Sequence, residues 1–266
     1  MSRFGPGLLV SARDGVATVT ISNSARRNAM TLGMWRALPG VLAGLAAEPG
    51  VRLLVLTGEG EAFSAGADIS ELADAEGRRE VQEAALAAEE ALAAFPKPTV
   101  AAVRGYCVGG GCQLAVACDL RFAARGARFG VTPARLGIVY AAASTRRLVA
   151  VAGPSTAKYL LFSAELIDEE RALRTGLVDE VLPDGDQLDA RVRRFAEILG
   201  TRSRLTQTAA KEFAAGPPSA ERAAHWARQA AESTDTDEGA AAFLAGRAPS
   251  FTWTPAAGAP AAHPAP

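Results

Sequence analysis

The chain has 266 residues, enough to bury a core as one α/β domain of ordinary size. Its formal net charge of −1 makes no electrostatic case for a nucleic acid or a membrane surface, so an acidic ligand would have to be met by local cations. No apolar run approaches the roughly 18 residues of a membrane span, and Met1-Ser2-Arg3-Phe4-Gly5-Pro6 lacks the apolar core of a secretion signal, which points to the cytoplasm.

In chain order, Leu8 to Arg13 and Val16 to Ile21 alternate apolar and polar residues about Asp14-Gly15, a hairpin signal. Thr31 to Ala47 has helical spacing and stops at Glu48-Pro49-Gly50. Arg52 to Thr57 is a short apolar strand. Val81 to Phe95 is an amphipathic helix closed by Pro96 and Pro98. Thr99 to Val103 is the next strand, followed by a glycine run, a helix to about Ala117, and a strand over Asp119 to Ala124. Strands alternating with helices predict a layered α/β fold with largely parallel strands. Beyond Pro154 the pattern turns helical: Ser155 to Phe162, Asp168 to Thr175, Gln187 to Leu199, Arg202 to Ala214, Ser219 to Ser233 and Thr236 to Ala245. We divide the chain into a core over 1–200, a helical region over 201–250 and an Ala/Pro-rich tail over 251–266, expected to be disordered.

Cys107, Cys112 and Cys118 form an odd, clustered set that fits no disulfide framework, and no zinc spacing or nearby His supports a metal. They read as buried, reduced thiols. His225 and His263 occupy positions that suggest no catalysis.

Two glycine-bearing turns carry the chemistry: Phe63-Ser64-Ala65-Gly66-Ala67-Asp68-Ile69, and Gly105-Tyr106-Cys107-Val108 followed by Gly109-Gly110-Gly111-Cys112-Gln113. Backbone N–H groups at a helix start lack intrahelical partners and can bind an anionic oxygen. Two such turns brought together would make an oxyanion hole, in which one donor contributes roughly 2.7–4 kcal/mol to the transition state. No Lys-Ser or Lys-Thr follows the glycines, against a phosphate loop, and the spacing does not fit a dinucleotide fingerprint.

These turns lie among Arg27-Asn28-Ala29-Met30, Val55-Leu56-Thr57-Gly58, Phe95-Pro96-Lys97-Pro98, Cys118-Asp119, Gly153-Pro154 and Gly176-Leu177-Val178-Asp179. In this order the motifs resemble the crotonase (enoyl-CoA hydratase/isomerase) superfamily, to about Phe251. The resemblance implies an α/β spiral of ββα units with a C-terminal helical trimerisation region. It also implies a homotrimer or dimer of trimers, an acyl-CoA substrate, and no cofactor beyond the coenzyme A of that substrate. It makes the N–H groups of Ala67 and Gly110 the oxyanion donors. The Ala65 to Ile69 backbone would take the adenine, with Arg26 and Arg27 near the phosphates. Asp68 belongs to the same segment and reads chiefly as a helix cap. Phe243 and Arg247 resemble a motif that reaches the coenzyme A of a neighbouring subunit, although Gly246 stands where a Lys is usual.

The chain departs from the family where hydratases carry two glutamates: the first position is Gln113 and the second Pro133. An amide is no general base, and a positioned acid or base contributes about 10²–10⁴-fold. Between Gly130 and Tyr140 there is no Asp, Glu or His. The segment Thr132 to Tyr140 resembles the loop of methylmalonyl-CoA decarboxylases, with Thr132 and Tyr140 placed to hold or reprotonate substrate, although Ala67 stands where those have His. The expected reaction is therefore decarboxylation of a malonyl-type ester. The alternatives are hydration or isomerisation by an unrecognised base, or acyl-CoA binding without catalysis. Arg135 would favour an acidic acyl group if it faced the pocket. Arg146 and Arg147 read as helix-surface charges. Acyl length depends on the segment from Asp74 to Glu90.

Overall fold

The computed structural model describes residues 2–3 and 7–255. Strand β1 (Ser2–Arg3) pairs antiparallel with β2 (Leu8–Arg13), and Asp14-Gly15 turns β2 into β3 (Val16–Ile21). Helix α1 (Leu32–Ala47) starts where the Thr31 hydroxyl accepts from Met34 N. It returns the chain to β4 (Leu53–Gly58), parallel to β3. Helix α2 (Ala75–Ala93) begins six residues before the expected Val81, because Asp74 caps it by accepting from Gly77 N at 2.7 Å. Strand β5 (Thr99–Val103), short β6 (Tyr106–Val108), helix α3 (Gly110–Ala117), β7 (Leu120–Ala124) and β8 (Arg128–Gly130) follow.

The remaining elements are α4 (Pro133–Leu136), α5 (Ala142–Ser163), β9 (Ile167–Asp168), α6 (Glu169–Arg174), β10 (Glu180–Leu182), α7 (Gly185–Gly200), α8 (Arg204–Ala214), α9 (Ala220–Glu232) and α10 (Asp235–Leu244). Sequence periodicity caught only the second half of α5. The helix starts thirteen residues before the expected Ser155 and is broken at Gly153, where φ is 76° ahead of Pro154. Strands β6, β8, β9 and β10 are two or three residues long, too short for a period-2 signal.

Seven strands form one sheet in the order β1-β2-β3-β4-β5-β7-β10, parallel from β3 onward, and β6-β8-β9 form a second. Alternate residues divide two cores. Leu54, Leu56, Ala101 and Val103 face the larger one, with α1, α2 and α3, while Leu53, Val55, Val100 and Ala102 meet Leu188, Val192 and Leu199 of α7. Burial on both faces explains why these strands read as continuous apolar runs. The mixed α/β architecture and the helical C-terminal region agree with the expected fold class. The three cysteines are free and buried.

The expected disordered tail is corrected at its start. Thr252 and Trp253 donate their N–H groups to Asp235 Oδ1, and the Trp253 indole donates to Gln229 Oε1 at 3.1 Å. Residues 256–266 of that tail lie outside the described residues. Among the described residues no helix is long and apolar enough to cross a membrane.

Candidate active site

The two glycine turns meet. Ser64 pairs in parallel with Cys107, its N–H donating to Tyr106 O and its carbonyl accepting from Val108 N, both at 2.9 Å. Two residues later, Met30 N donates to Gly66 O at 2.7 Å and Met30 O accepts from Asp68 N at 2.9 Å. Met30 thus occupies the peptides on either side of Ala67, which turns the Ala67 N–H to the opposite side of the strand. Gly110 is the first residue of α3, so its N–H has no intrahelical acceptor. A Cβ on Gly110 would stand 3.9 Å from Ala67 N, so the two donors are neighbours.

Glycine is required for this approach. A Cβ on Gly66, where φ is +92°, would fall 2.8 Å from Val108 O and 3.0 Å from Gly110 N. At Gly109, φ 59° and ψ −129° lie outside the space open to L side chains. The Trp35 ring packs against Gly110, with ring carbons 3.0 and 3.1 Å from where its Cβ would be.

Three polar atoms beside this centre are buried with no partner among the described residues: Oε1 and Nε2 of Gln113, and Nε1 of Trp35. Gln113 is only 2 % exposed. A buried amide with neither end bonded costs about 1–3 kcal/mol per group, unless water or a ligand completes it. Gln113 therefore suits a polar partner supplied from outside the chain. Pro133 is buried at the first position of α4, a single helical turn ended by Gly137 at φ 65°. Thr132 precedes that turn without capping it through its side chain.

Tyr140 reaches the centre, its hydroxyl 3.7 Å from the Cβ position of Gly109. Its pKa is raised further above the usual phenol value, first by burial and then by Cys112 and Glu89. Burial thus makes Tyr140 a weaker proton donor than a free phenol and favours its neutral hydroxyl, which suits holding the substrate better than reprotonating it.

A carboxylate absent from the sequence-based candidates is bound by Ser144, four residues after Tyr140. Glu89 is on the apolar face of α2 with Val81, Ala88 and Leu92, and is 5 % exposed. The Ser144 hydroxyl donates to its Oε2 at 2.5 Å, and Arg147 Nη1 stands 3.6 Å from the same oxygen. Burial pushes the Glu89 pKa up to about 7, against the opposing effects of Ser144 and Arg147. Arg147 is therefore not the expected surface charge. It bridges α5 to α2 through Glu89 and Glu90, the latter at 2.8 Å. The signal for Glu89 was in the sequence, a carboxylate at helical spacing within an apolar stripe.

The proposed coenzyme A contacts are mixed. Arg26 is exposed and bound to Asp68 at 2.5 Å, and Asp68 caps the turn Ile69–Leu72 by accepting from Ser70 N at 3.0 Å. Hydrogen bonding to the Ser70 hydroxyl leads the effects that hold the Asp68 pKa below its usual value. Arg27 lies over the Tyr106 ring at 4.8 Å, and its carbonyl accepts from Ala65 N at 2.9 Å, which ties the Arg26-Arg27 turn to the Ala65 to Ile69 segment. Ile69 is 66 % exposed, available to stack on a ligand. Arg135 is exposed and lines an open depression with Ser163, Ala164, Glu165 and Leu166. Phe243 is exposed, and Arg247 is engaged bidentately by Glu238 at 2.7 and 2.8 Å.

A family model described as Enoyl-CoA hydratase/isomerase matches residues 11–253. The chain is 33 % identical over 250 residues to 2,3-dehydroadipyl-CoA hydratase of Escherichia coli K12, covering 92 % of this chain and 98 % of that one. It is 32 % identical over 214 residues to crotonyl-CoA hydratase of Syntrophomonas wolfei, covering 77 % and 81 %. The crystal structure of an enoyl-CoA hydratase/carnithine racemase from Magnetospirillum magneticum superposes with a TM-score of 0.86 at 33 % identity, over 94 % of this chain and 97 % of that one. A family match over most of the chain, with relatives above 30 % identity along nearly their full length, places this protein in the enoyl-CoA hydratase/isomerase family.

Proposed function

We propose that the protein is an acyl-CoA enzyme that hydrates or isomerises an enoyl thioester, holding the enolate oxygen between the N–H groups of Ala67 and Gly110 and using a base outside the family's two glutamate positions. The observation that carries this reading is the convergence of those two donors, one turned out by Met30 and the other at the open start of α3. The relatives named above as hydratases act on enoyl-type thioesters by their names, which favours this chemistry over the decarboxylation expected from the loop. Decarboxylation of a malonyl-type ester is the second reading. It is favoured by Gln113 and Pro133, since a site without those carboxylates does not repel an acidic substrate. In either case no cofactor is needed apart from the coenzyme A of the substrate, and the assembly is a homotrimer or dimer of trimers.

Mass spectrometry of a thioester panel separates the readings. Water gained by crotonyl-CoA or a longer enoyl ester supports hydration, a shifted double bond supports isomerisation, and CO₂ lost from malonyl- or methylmalonyl-CoA supports decarboxylation. Binding without change in any ester would make the protein a non-catalytic acyl-CoA binder. Gly110→Pro deletes one donor at the first position of α3, where helix geometry admits proline and the Trp35 ring must shift to make room. With native circular dichroism retained, kcat should fall by about 10²–10³-fold. Full activity in a folded variant would displace the proposed oxyanion hole.

A further inference from the structure

The proposed function needs a proton carrier, and neither Gln113 nor Pro133 supplies one. We propose that Glu89 is the acid–base carboxylate of this site, its Oε1 reaching the reacting carbons of the bound thioester. The proposal rests on the reading of the site as a thioester-enolate centre.

The arrangement around Glu89 is that of a poised group, not of a finished ion pair. A buried carboxylate costs free energy unless it is fully paired. Arg147 leaves Glu89 at 3.6 Å, gives its short contact to Glu90, and keeps Nη1 buried without a hydrogen bond. Ser144 donates to Oε2, while Oε1 accepts no hydrogen bond among the described residues. One carboxylate oxygen is fixed and the other is free. The fixing group and the site are continuous in the chain: Ser144 lies in the first turn of α5, and Tyr140, just before that helix, reaches Gly109 with its hydroxyl.

The charged and titratable surroundings are few. From α5 come Ser144 and Arg147, with Tyr140 ahead of them, and Glu90 neighbours Glu89 on α2. Helix α3 offers only Cys112, and the one charge on α1, Arg36, is paired with Glu80. With its pKa near 7, Glu89 exchanges a proton readily at neutral pH.

For hydration the step balances with one carboxylate. Ionised Glu89 takes a proton from water as the water oxygen bonds to C3. The C2–C3 π pair shifts toward the carbonyl, and the negative charge comes to rest on the thioester oxygen at Ala67 and Gly110. The enolate then collapses, and protonated Glu89 returns the proton to C2. Water is consumed, the 3-hydroxyacyl thioester forms, and Glu89 regains its charge. The unpartnered Gln113 amide is free to orient that water. Isomerisation uses the same group to carry one proton between C2 and C4.

The test pairs two readouts on wild type, Glu89→Gln and Ser144→Ala: exchange of the C2 hydrogens of butyryl-CoA in D₂O, and hydration or isomerisation of enoyl-CoA esters. Exchange needs only a base and the oxyanion hole. Wild type should exchange with a rate that rises as pH passes through about 7. Glu89→Gln should slow exchange and turnover by about 10²-fold or more, lose that pH step, and leave butyryl-CoA binding near wild type and the circular dichroism native. Ser144→Ala removes a hydrogen bond that favours the charged form, so its pH step should move upward. It also provides the test should Glu89→Gln not fold. Exchange by Glu89→Gln at the wild-type rate, or an unmoved pH step in Ser144→Ala, overturns the proposal. Glu89-dependent exchange without hydration or isomerisation keeps Glu89 and overturns the proposed function. Hydration that survives Glu89→Gln does the reverse, and a wild type inert in both readouts overturns both.

Discussion

At the scale of single residues, the polar groups near the two glycine turns are an unpartnered amide, Gln113, and a buried carboxylate, Glu89. An amide occupies the first glutamate position of the family hydratases and a proline the second, while a carboxylate is buried on α2. Burial of Glu89 has a consequence for stability whose sign is fixed. Its folded pKa, near 7, lies above the ordinary 4.5, so the folded state binds more protons between those values. Its contribution to stability is therefore fully present below about pH 4.5 and is lost as pH rises through 7. Glu89→Gln, which never ionises, should match or trail wild type near pH 5 and exceed it above pH 7, by on the order of 2–3 kcal/mol. Denaturant titrations at pH 5 and pH 8 measure this, and an equal difference at both would mean that Glu89 keeps the same charge throughout.

At the scale of elements, several motifs that carried the family resemblance are fasteners between strands and helices. Asp119 Oδ2 accepts from Thr99 N at 2.7 Å, from the Thr99 hydroxyl at 3.0 Å and from Lys211 Nζ at 2.8 Å, which joins β5 to the start of β7 and both to α8. Buried Arg121 gives Nε to Leu177 O at 2.9 Å and Nη1 to Cys118 O at 2.8 Å, with Asp179 at 3.1 Å. This holds the Gly176 to Asp179 turn against β7. Removing the first fastener with Asp119→Ala leaves the Thr99 N–H buried and unpaired, at a cost of about 1–3 kcal/mol. A urea midpoint unchanged from wild type would show that water replaces the carboxylate. The same scale explains the misplaced boundaries. The α2 cap at Asp74 was hidden by a polar, Glu/Arg-rich first half, and the start of α5 by the break at Gly153.

At the scale of the whole molecule, the C-terminal helices leave apolar side chains uncovered. Phe243 and Leu244 at the end of α10 are each 86 % exposed, and Phe162 at the end of α5 is 75 % exposed. Adjacent large apolar residues in water are unfavourable, and fit the expected contact with a neighbouring subunit. With Arg247 engaged by Glu238, the contact would rest more on Phe243 than on that guanidinium. Light scattering should give a trimer or hexamer for wild type, and a smaller species for the pair Phe243→Asp and Leu244→Asp. An unchanged mass would remove α10 from the interface.

By itself the sequence determined the layered α/β class and the two glycine turns, and the resemblance it carries marked Gln113 and Pro133 as departures. Each of these is local: strand and helix periods, glycine before a helix start, and the residue type at one position. The apposition of Ala67 with Gly110 depends on Met30 and Ser64 holding a strand end beside β6, and Glu89 becomes a site group only when α2 packs beside α5. Those contacts join residues tens of positions apart, and burial, which raises the pKa of Glu89 and weakens Tyr140 as a proton donor, belongs to the packed chain alone.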